Sequence, residues 1–230
     1  MRVSVALCTF NGAKYLDEQL NSIARQTLVP YELVICDDGS TDGTIDILEA
    51  FAATSAITVQ LHLTSLRGGV VANFARAMAY CTGDVIALAD QDDVWLPNKL
   101  EITVGALRAA QEELGEDAPL LAHTDLRVID ATKKVLADSF WAHQGIRSQH
   151  VDALSELLLE NYVTGCTVAM NRALRDLALP IPPDAIMHDW WLALVAAAKG
   201  KVITLPDATM LYRQHGSNTV GARRRNVVKY

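Results

Sequence analysis

The sequence predicts an α/β fold with a mostly parallel central sheet flanked by helices, and three observations predict it. Short β-type runs alternate with helix-period segments through the first half of the chain, the order that builds parallel strands joined by crossover helices. The run over 84–89 is almost continuously apolar, as a strand buried on both faces must be. Each of the best-defined runs gives way to a polar, acidic loop, the place where open α/β sheets gather ligands.

The elements follow in order. Residues 2–8 read as a strand, and Leu16, Leu20 and Ile23 then share one helical face. A second strand covers 32–36, and Ile45, Leu48 and Phe51 stripe the next helix. Ile57, Val59, Leu61 and Leu63 alternate as a third strand, a helix spans about 70–80, and strand 84–89 follows. Pro97 opens a helix through Leu100, Val104 and Leu107, since proline suits a first helical turn. The second half is less regular, with strands near 120–123, 167–170, 202–205 and 209–212 and helices near 151–160, 171–179 and 188–198. The proline-rich stretch 180–183 reads as a turn, so the expectation is one domain over 1–230, with a nucleotide-binding half (1–101) merging into an acceptor-binding half (102–230).

The composition, with 50% hydrophobic and 20% charged residues in 230, is that of a globular chain with a substantial core. A formal net charge of -7 argues against nonspecific nucleic-acid binding, which needs a basic surface, so an anionic ligand has to be met locally. The four cysteines form no Cys-x-x-Cys pair and read as reduced, buried thiols of a cytoplasmic protein. The apolar run over 3–8 is too short for a signal-peptide core, and no run approaches the ~20 apolar residues of a membrane span. Arg223, Arg224, Arg225 and Lys229 near the end are a solvated tail or a peripheral contact for anionic lipid.

Three loops carry the chemistry: Thr9-Phe10-Asn11-Gly12, Asp37-Asp38-Gly39-Ser40-Thr41-Asp42-Gly43 and Asp90-Gln91-Asp92-Asp93. A dinucleotide fingerprint or P-loop would need glycine patterns that occur nowhere in the chain. Three carboxylates in four residues at 90–93 repel one another unless a cation is present, and hard ions such as Mg²⁺ or Mn²⁺ prefer such oxygens. If the chain stays extended, Asp90 and Asp92 point to one side. The bland alternative is a solvated acidic turn with Asp93 capping the next helix. Positions from Asp38 to Glu49 also fit the EF-hand calcium pattern, but a strand-like run precedes them where an EF-hand needs a helix. The better reading is a strand-to-helix turn in which Asp38 faces a ligand and Asp42 or Ser40 helps cap the helix.

Taken together, Cys8-Thr9-Phe10-Asn11-Gly12, the 37–42 segment and Asp90-Gln91-Asp92-Asp93-Val94-Trp95 resemble the family 2 glycosyltransferases of GT-A fold. His188-Asp189-Trp190-Trp191 and the segment from Tyr212 through His215 to Asn218 resemble the rhamnosyltransferase-like branch. The resemblance implies that Thr9, Asn11 and Asp38 line a nucleotide pocket, with Asp38 accepting from a pyrimidine imide N–H, which favours UDP or dTDP. It implies Asp90 beside the ribose, Asp92 on a divalent ion bridging the diphosphate, His215 as a metal or phosphate contact and Asp189 as catalytic base. Arg67, heading Arg-Gly-Gly before a helix, is a candidate phosphate or base contact. The implied reaction is inverting transfer from a UDP- or dTDP-sugar, with rhamnose the favoured sugar, to a saccharide or lipid-linked saccharide acceptor in cell-surface polysaccharide synthesis at the cytoplasmic face of the membrane.

Bland readings stand beside these. Asp189 is also a favourable carboxylate for a helix N-terminus, His215 an ordinary surface histidine, and His188 a neighbour without a chemical role. Trp95 and Trp141 fit core packing, whereas one of Trp190 and Trp191 fits an acceptor platform. A nucleotidyltransferase would carry a glycine-rich basic N-terminal loop, which is missing; a non-catalytic nucleotide- or carbohydrate-binding relative would bind donor without turnover.

Overall fold

The computed structural model describes residues 1–146 and 152–216. Ser217, Asn218, the Arg223–225 and Lys229 cluster and position 151 of the expected 151–160 helix lie outside the described residues. The order is β1 (Val3–Thr9), α1 (Ala13–Ala24), β2 (Glu32–Asp37), α2 (Thr44–Thr54), β3 (Thr58–Leu63), α3 (Val70–Tyr80), β4 (Val85–Ala89), β5 (Val94–Trp95) and α4 (Lys99–Leu114). Then come β6 (Leu120–Asp130), β7 (Val135–Ala137), α5 (Phe140–Gln144), α6 (Ala153–Leu159), a 3₁₀ turn at Gly165–Thr167, β8 (Ala169–Asn171), α7 (Arg172–Ala178), α8 (His188–Lys199) and β9 (Lys201–Gln214).

These strands form one sheet in the order β3-β2-β1-β4-β8-β6-β9-β5, with β7 on β6. The block β3-β2-β1-β4 is parallel, as the alternating sequence pattern requires, and β6 and β9 also run parallel. β8, β5 and β7 join antiparallel, so the sheet is parallel where the strand-helix alternation is regular and mixed beyond it.

The period of two along each strand divides the core into two layers. Val3, Val5 and Leu7 of β1, Leu33 and Ile35 of β2 and Val85, Ala87 and Ala89 of β4 pack with α1, α2 and α4 on one face. Ala6, Cys8, Val34, Cys36, Ile86 and Leu88 pack with α3, α7 and α8 on the other. A strand covered on both faces cannot alternate apolar with polar, which is why β4 reads as an unbroken apolar run.

Two expected strands, 202–205 and 209–212, are a single strand, β9, paired along most of β6. Pro206 and Asp207 read as a break; in the fold, the register skips from Thr124↔Leu205 to Asp125↔Ala208, so they bulge out while pairing resumes. The strand expected at 120–123 likewise continues to Asp130. β5, β7 and α5 are too short to show a period and have no counterpart in the sequence reading.

Gly200, which ends α8, lets the chain turn directly against the 118–119 segment, with Lys201 N–H donating to the Pro119 carbonyl at 3.0 Å. A Cβ at Gly200 would overlap that same carbonyl. Gly200→Ala is expected to destabilise the protein by about 1–3 kcal/mol, measured by urea unfolding, since rigid backbone has to move.

Candidate active site

A cavity of about 950 Å³ opens at the carboxyl ends of β1, β2 and β4. The strand order places β2 on one side of β1 and β4 on the other, so successive crossovers diverge there and leave a crevice. All eight residues singled out from the sequence, Thr9, Asn11, Asp38, Arg67, Asp90, Asp92, Asp189 and His215, line it.

Carboxylates stitch together the loops that follow β1, β2 and β3 along its wall. Asp37, buried at the end of β2, accepts from the N–H groups of Gly39 and Ser40 at 3.0 and 2.7 Å and from the Thr9 hydroxyl at 2.7 Å. Asp38 accepts from Gly68 N–H with one oxygen and Gly69 N–H with the other, both at 2.8 Å. Those bonds fix the entry of α3, where Gly69 adopts φ +84. Each oxygen keeps a further lone pair, so Asp38 anchors the loop and can still meet a ligand donor. Asp42 accepts from Thr44 N–H at 3.0 Å and Ala13 N–H at 3.2 Å, which ties the start of α2 to that of α1. With β2 ahead of the loop and its carboxylates turned to different backbone partners, the calcium-loop pattern is coincidental.

Asn11, at φ 48, donates from its N–H to Ser40 Oγ and accepts from Thr41 N–H, each at 2.8 Å. The Arg67 guanidinium lies 4.0 Å over the Phe10 ring. Gln91 both accepts from Phe10 N–H at 2.8 Å and donates to Phe10 C=O at 3.0 Å, clamping the β1 loop to the acidic segment. A Cβ on Gly12 would collide with that Gln91 side chain.

The acidic segment is a bend, and its members separate. Asp90 and Asp92 face the cavity, whereas Asp93 is fully buried, accepts from Arg213 N–H at 3.0 Å and does not cap α4, whose cap residue is Asn98. Burial, with Asp92 and Asp189 nearby, pushes the Asp90 carboxyl up to about 7. His215 Nε2 and Asp92 Oδ2 are 2.8 Å apart, so the two residues expected to hold an ion or diphosphate meet. Arg213, also buried, donates to the Asp92 carbonyl at 2.9 Å, pairs with Glu18 and lies 4.6 Å over the Tyr15 ring. Tyr15 packs against His215 with ring centroids 4.9 Å apart.

Asp90, Asp93 and Cys166 also bring ligand atoms within 4.8 Å of one another. Burial raises the Cys166 thiol well above its ordinary value and keeps it protonated, and the Lys99 ammonium is buried nearby. A protonated thiol beside a cation is a poor site for a hard divalent ion, whereas Asp92 and His215 reach the open cavity.

Asp189 stands at the first turn of α8 and lines the same cavity. It accepts from Gly165 N–H at 2.9 Å, Trp190 N–H at 2.6 Å and Asn161 Nδ2 at 3.2 Å, yet burial outweighs these bonds and pushes its carboxyl up to about 6. A carboxylate with such a value can take a proton near neutral pH. Trp190 and Trp191 do not line the cavity: one helical step rotates them away, and their indole N–H groups donate to Leu157 C=O at 2.7 Å and Ala178 C=O at 2.9 Å. The acceptor-platform expectation for them is therefore corrected, while Trp95 and Trp141 are core residues as read. Gly165, Asn161 and Tyr15 carry no local motif, and only the tertiary fold brings them to the site.

Fold and cavity together define an α/β protein with a nucleotide-type crevice at the switch point of its sheet. The family described as "Glycosyl transferase family 2" matches residues 4–114. An uncharacterized glycosyltransferase of Nostoc sp., alr2836, is 30% identical over 227 residues, covering 95% of the chain and 66% of that relative. The dTDP-rhamnosyl transferase RfbG of Shigella flexneri is 29% identical over 237 residues, covering 97% of the chain and 76% of RfbG. Among solved structures, the mannosyltransferase PcManGT of Pyrobaculum calidifontis, in complex with GDP-Man and Mn²⁺, superposes with a TM-score of 0.68 at 22% identity, covering 91% of the chain and 56% of that protein. The chain belongs to glycosyl transferase family 2 and has the GT-A fold. It spans about two thirds or less of the length of the first curated relatives it matches.

The environment of Asp189 is directly testable. Its carboxyl carbon, followed by NMR in ¹³C-labelled protein, is expected to titrate near pH 6; a midpoint in the ordinary aspartate range near 4 would contradict the buried setting described above.

Proposed function

We propose that the protein is an inverting glycosyltransferase that moves a sugar from a UDP- or dTDP-sugar to an acceptor hydroxyl. The observation that carries this reading is the convergence, in one cavity, of the loops after β1, β2 and β4 with Asp189 at the start of α8. Thr9, Asn11, Asp38 and Arg67 bind the nucleoside, Asp90 the ribose, and Asp92 with His215 the diphosphate end. Asp38 held by two backbone N–H groups is a rigid acceptor for a pyrimidine imide. The similarity to RfbG supports dTDP-rhamnose as the first donor to try, and a saccharide or lipid-linked saccharide of a surface polysaccharide as acceptor.

A divalent ion, Mg²⁺ or Mn²⁺, fits the site by its donor set: Asp92 Oδ2 and His215 Nε2 converge at the cavity wall, with Asp90 adjacent in the same acidic bend. PcManGT, of the same fold, is in complex with GDP-Man and Mn²⁺. When bound, such an ion neutralises the charge that develops on the leaving diphosphate. The chain's own contribution lies on the other side of the sugar. Asp189 takes the proton of the acceptor hydroxyl as its oxygen attacks the anomeric carbon, and attack from the face opposite the diphosphate inverts that carbon. Gly165, Asn161 and the Trp190 N–H hold the carboxylate so that its oxygens do not rotate between turnovers.

Calorimetric titration with UDP and dTDP, each with and without Mn²⁺, is expected to give metal-dependent binding that Asp92→Ala abolishes. Failure of the wild type to bind either nucleotide under any condition would overturn the proposal. Asp189→Asn is expected to lower kcat about 10²- to 10⁴-fold while leaving nucleotide affinity nearly unchanged. Because the base must be ionised, wild-type kcat rises with pH through a midpoint near 6 and levels off above it.

A further inference from the structure

His188 is buried to 3% exposure on the wall of the cavity, and neither ring nitrogen has a hydrogen-bond partner among the described residues. Its ring lies flat against Phe74 of α3, with centroids 4.1 Å apart and planes 16° from parallel. Burial lowers its pKa to about 3, so the ring is neutral and offers one N–H donor and one lone pair. Buried polar atoms are nearly always satisfied, so two covered, orphaned nitrogens on a ring of the cavity wall point to a partner that the ring meets by turning toward the cavity. A sugar hydroxyl, at once donor and acceptor, has that chemistry.

The surroundings specify which part of a substrate it meets. Asp189, the next residue, faces the acceptor oxygen on the proposed reading, so the attacked sugar lies within reach of both. Phe74 belongs to α3, whose entry Asp38 fastens to the nucleotide side. His188 thus joins α3 to the start of α8 at the cavity wall, next to Asp189. A Cβ on Gly165 would stand 3.0 Å from His188 Nε2 and 3.3 Å from Asp189 Oδ2, so that glycine is what lets both side chains occupy the wall together.

We infer that His188 hydrogen-bonds a hydroxyl of the transferred sugar and so helps select the donor, an inference that rests on the glycosyltransferase reading above. The test compares the wild type with His188→Phe, which keeps the stack on Phe74 and removes both polar atoms, and with His188→Gln, which restores a donor and an acceptor. Each is titrated with bare UDP and dTDP and with UDP-glucose, UDP-GlcNAc and dTDP-rhamnose, and its melting temperature is recorded. The expected result is unchanged affinity of the Phe variant for the bare diphosphates, a loss of about tenfold or more for the sugar nucleotide that the wild type prefers, and partial recovery in the Gln variant. Wild-type affinity of the Phe variant for that sugar nucleotide would overturn the inference and leave the glycosyltransferase reading standing. Equal losses for diphosphate and sugar nucleotide, with a lowered melting temperature, would reduce His188 to a packing residue and overturn it too. A wild type that binds no nucleotide would overturn both. Should the Phe variant fail to fold, the side-chain ¹⁵N resonances of His188 in the wild type decide: they shift with the sugar nucleotide and not with the diphosphate if the inference holds, and with neither or both if it does not.

Discussion

Carboxylates that accept backbone N–H groups from neighbouring loops are the interaction on which this site depends. Parallel strands end together at one edge of the sheet, and the loops leaving β1 and β2 would otherwise face the cavity with unpaired amides. Asp37, Asp38 and Asp42 between them take N–H groups from Gly39, Ser40, Gly68, Gly69, Thr44 and Ala13, and Gln91 exchanges both backbone bonds of Phe10. Hydrogen bonds to charged groups contribute about 1.5–3 kcal/mol each, enough to hold four loops in fixed relation with little apolar packing among them. The acidic character of the loops is thus first a structural device, and the cavity is the space those stitched loops enclose.

Asp90, Asp92 and Asp189 also line that space, and burial works against two of them. Asp90 and Asp189 are both buried enough for their ionisation to be resisted, and Asp90 also lies close to Asp92 and Asp189. Groups kept in this state cost stability at neutral pH, as sites that need a reactive base or a cation binder generally do. Arg213 offsets part of that cost at the loop carrying Asp92 by bonding to the Asp92 carbonyl and running on to Glu18. The long strand β9 therefore has a positional role, spanning β6 and delivering Arg213 and His215 beneath the acidic bend.

Much of this was legible in the sequence. Apolar runs followed by Thr-Phe-Asn-Gly, Asp-Asp-Gly-Ser and Asp-Gln-Asp-Asp located the strand ends, and strand ends locate a crevice in any open α/β sheet. The Asp189 and His215 motifs stood in irregular regions, and their resemblance to a family, not their periodicity, marked them. What stayed hidden depends on contacts distant along the chain. Nothing near Gly165 or Asn161 says that they grip Asp189, and nothing at 90–93 says that Asp93, in place of capping α4, accepts from Arg213 N–H. The tryptophans after Asp189 misled for a similar reason: helical geometry rotates them onto α6 and α7, which sequence spacing alone does not place.

On the proposed reading, Asp92 and His215 mark the diphosphate end of a donor site that Asp189 also lines. A crystal structure of the protein with Mn²⁺ and either UDP or dTDP, read from the anomalous signal of manganese, tests it most directly. The account predicts manganese within coordinating distance of Asp92, the diphosphate beside His215 and the base against the loops of Asp38 and Arg67. Manganese held by Asp93 and Cys166, or a nucleotide bound away from the carboxyl ends of β1, β2 and β4, would contradict it.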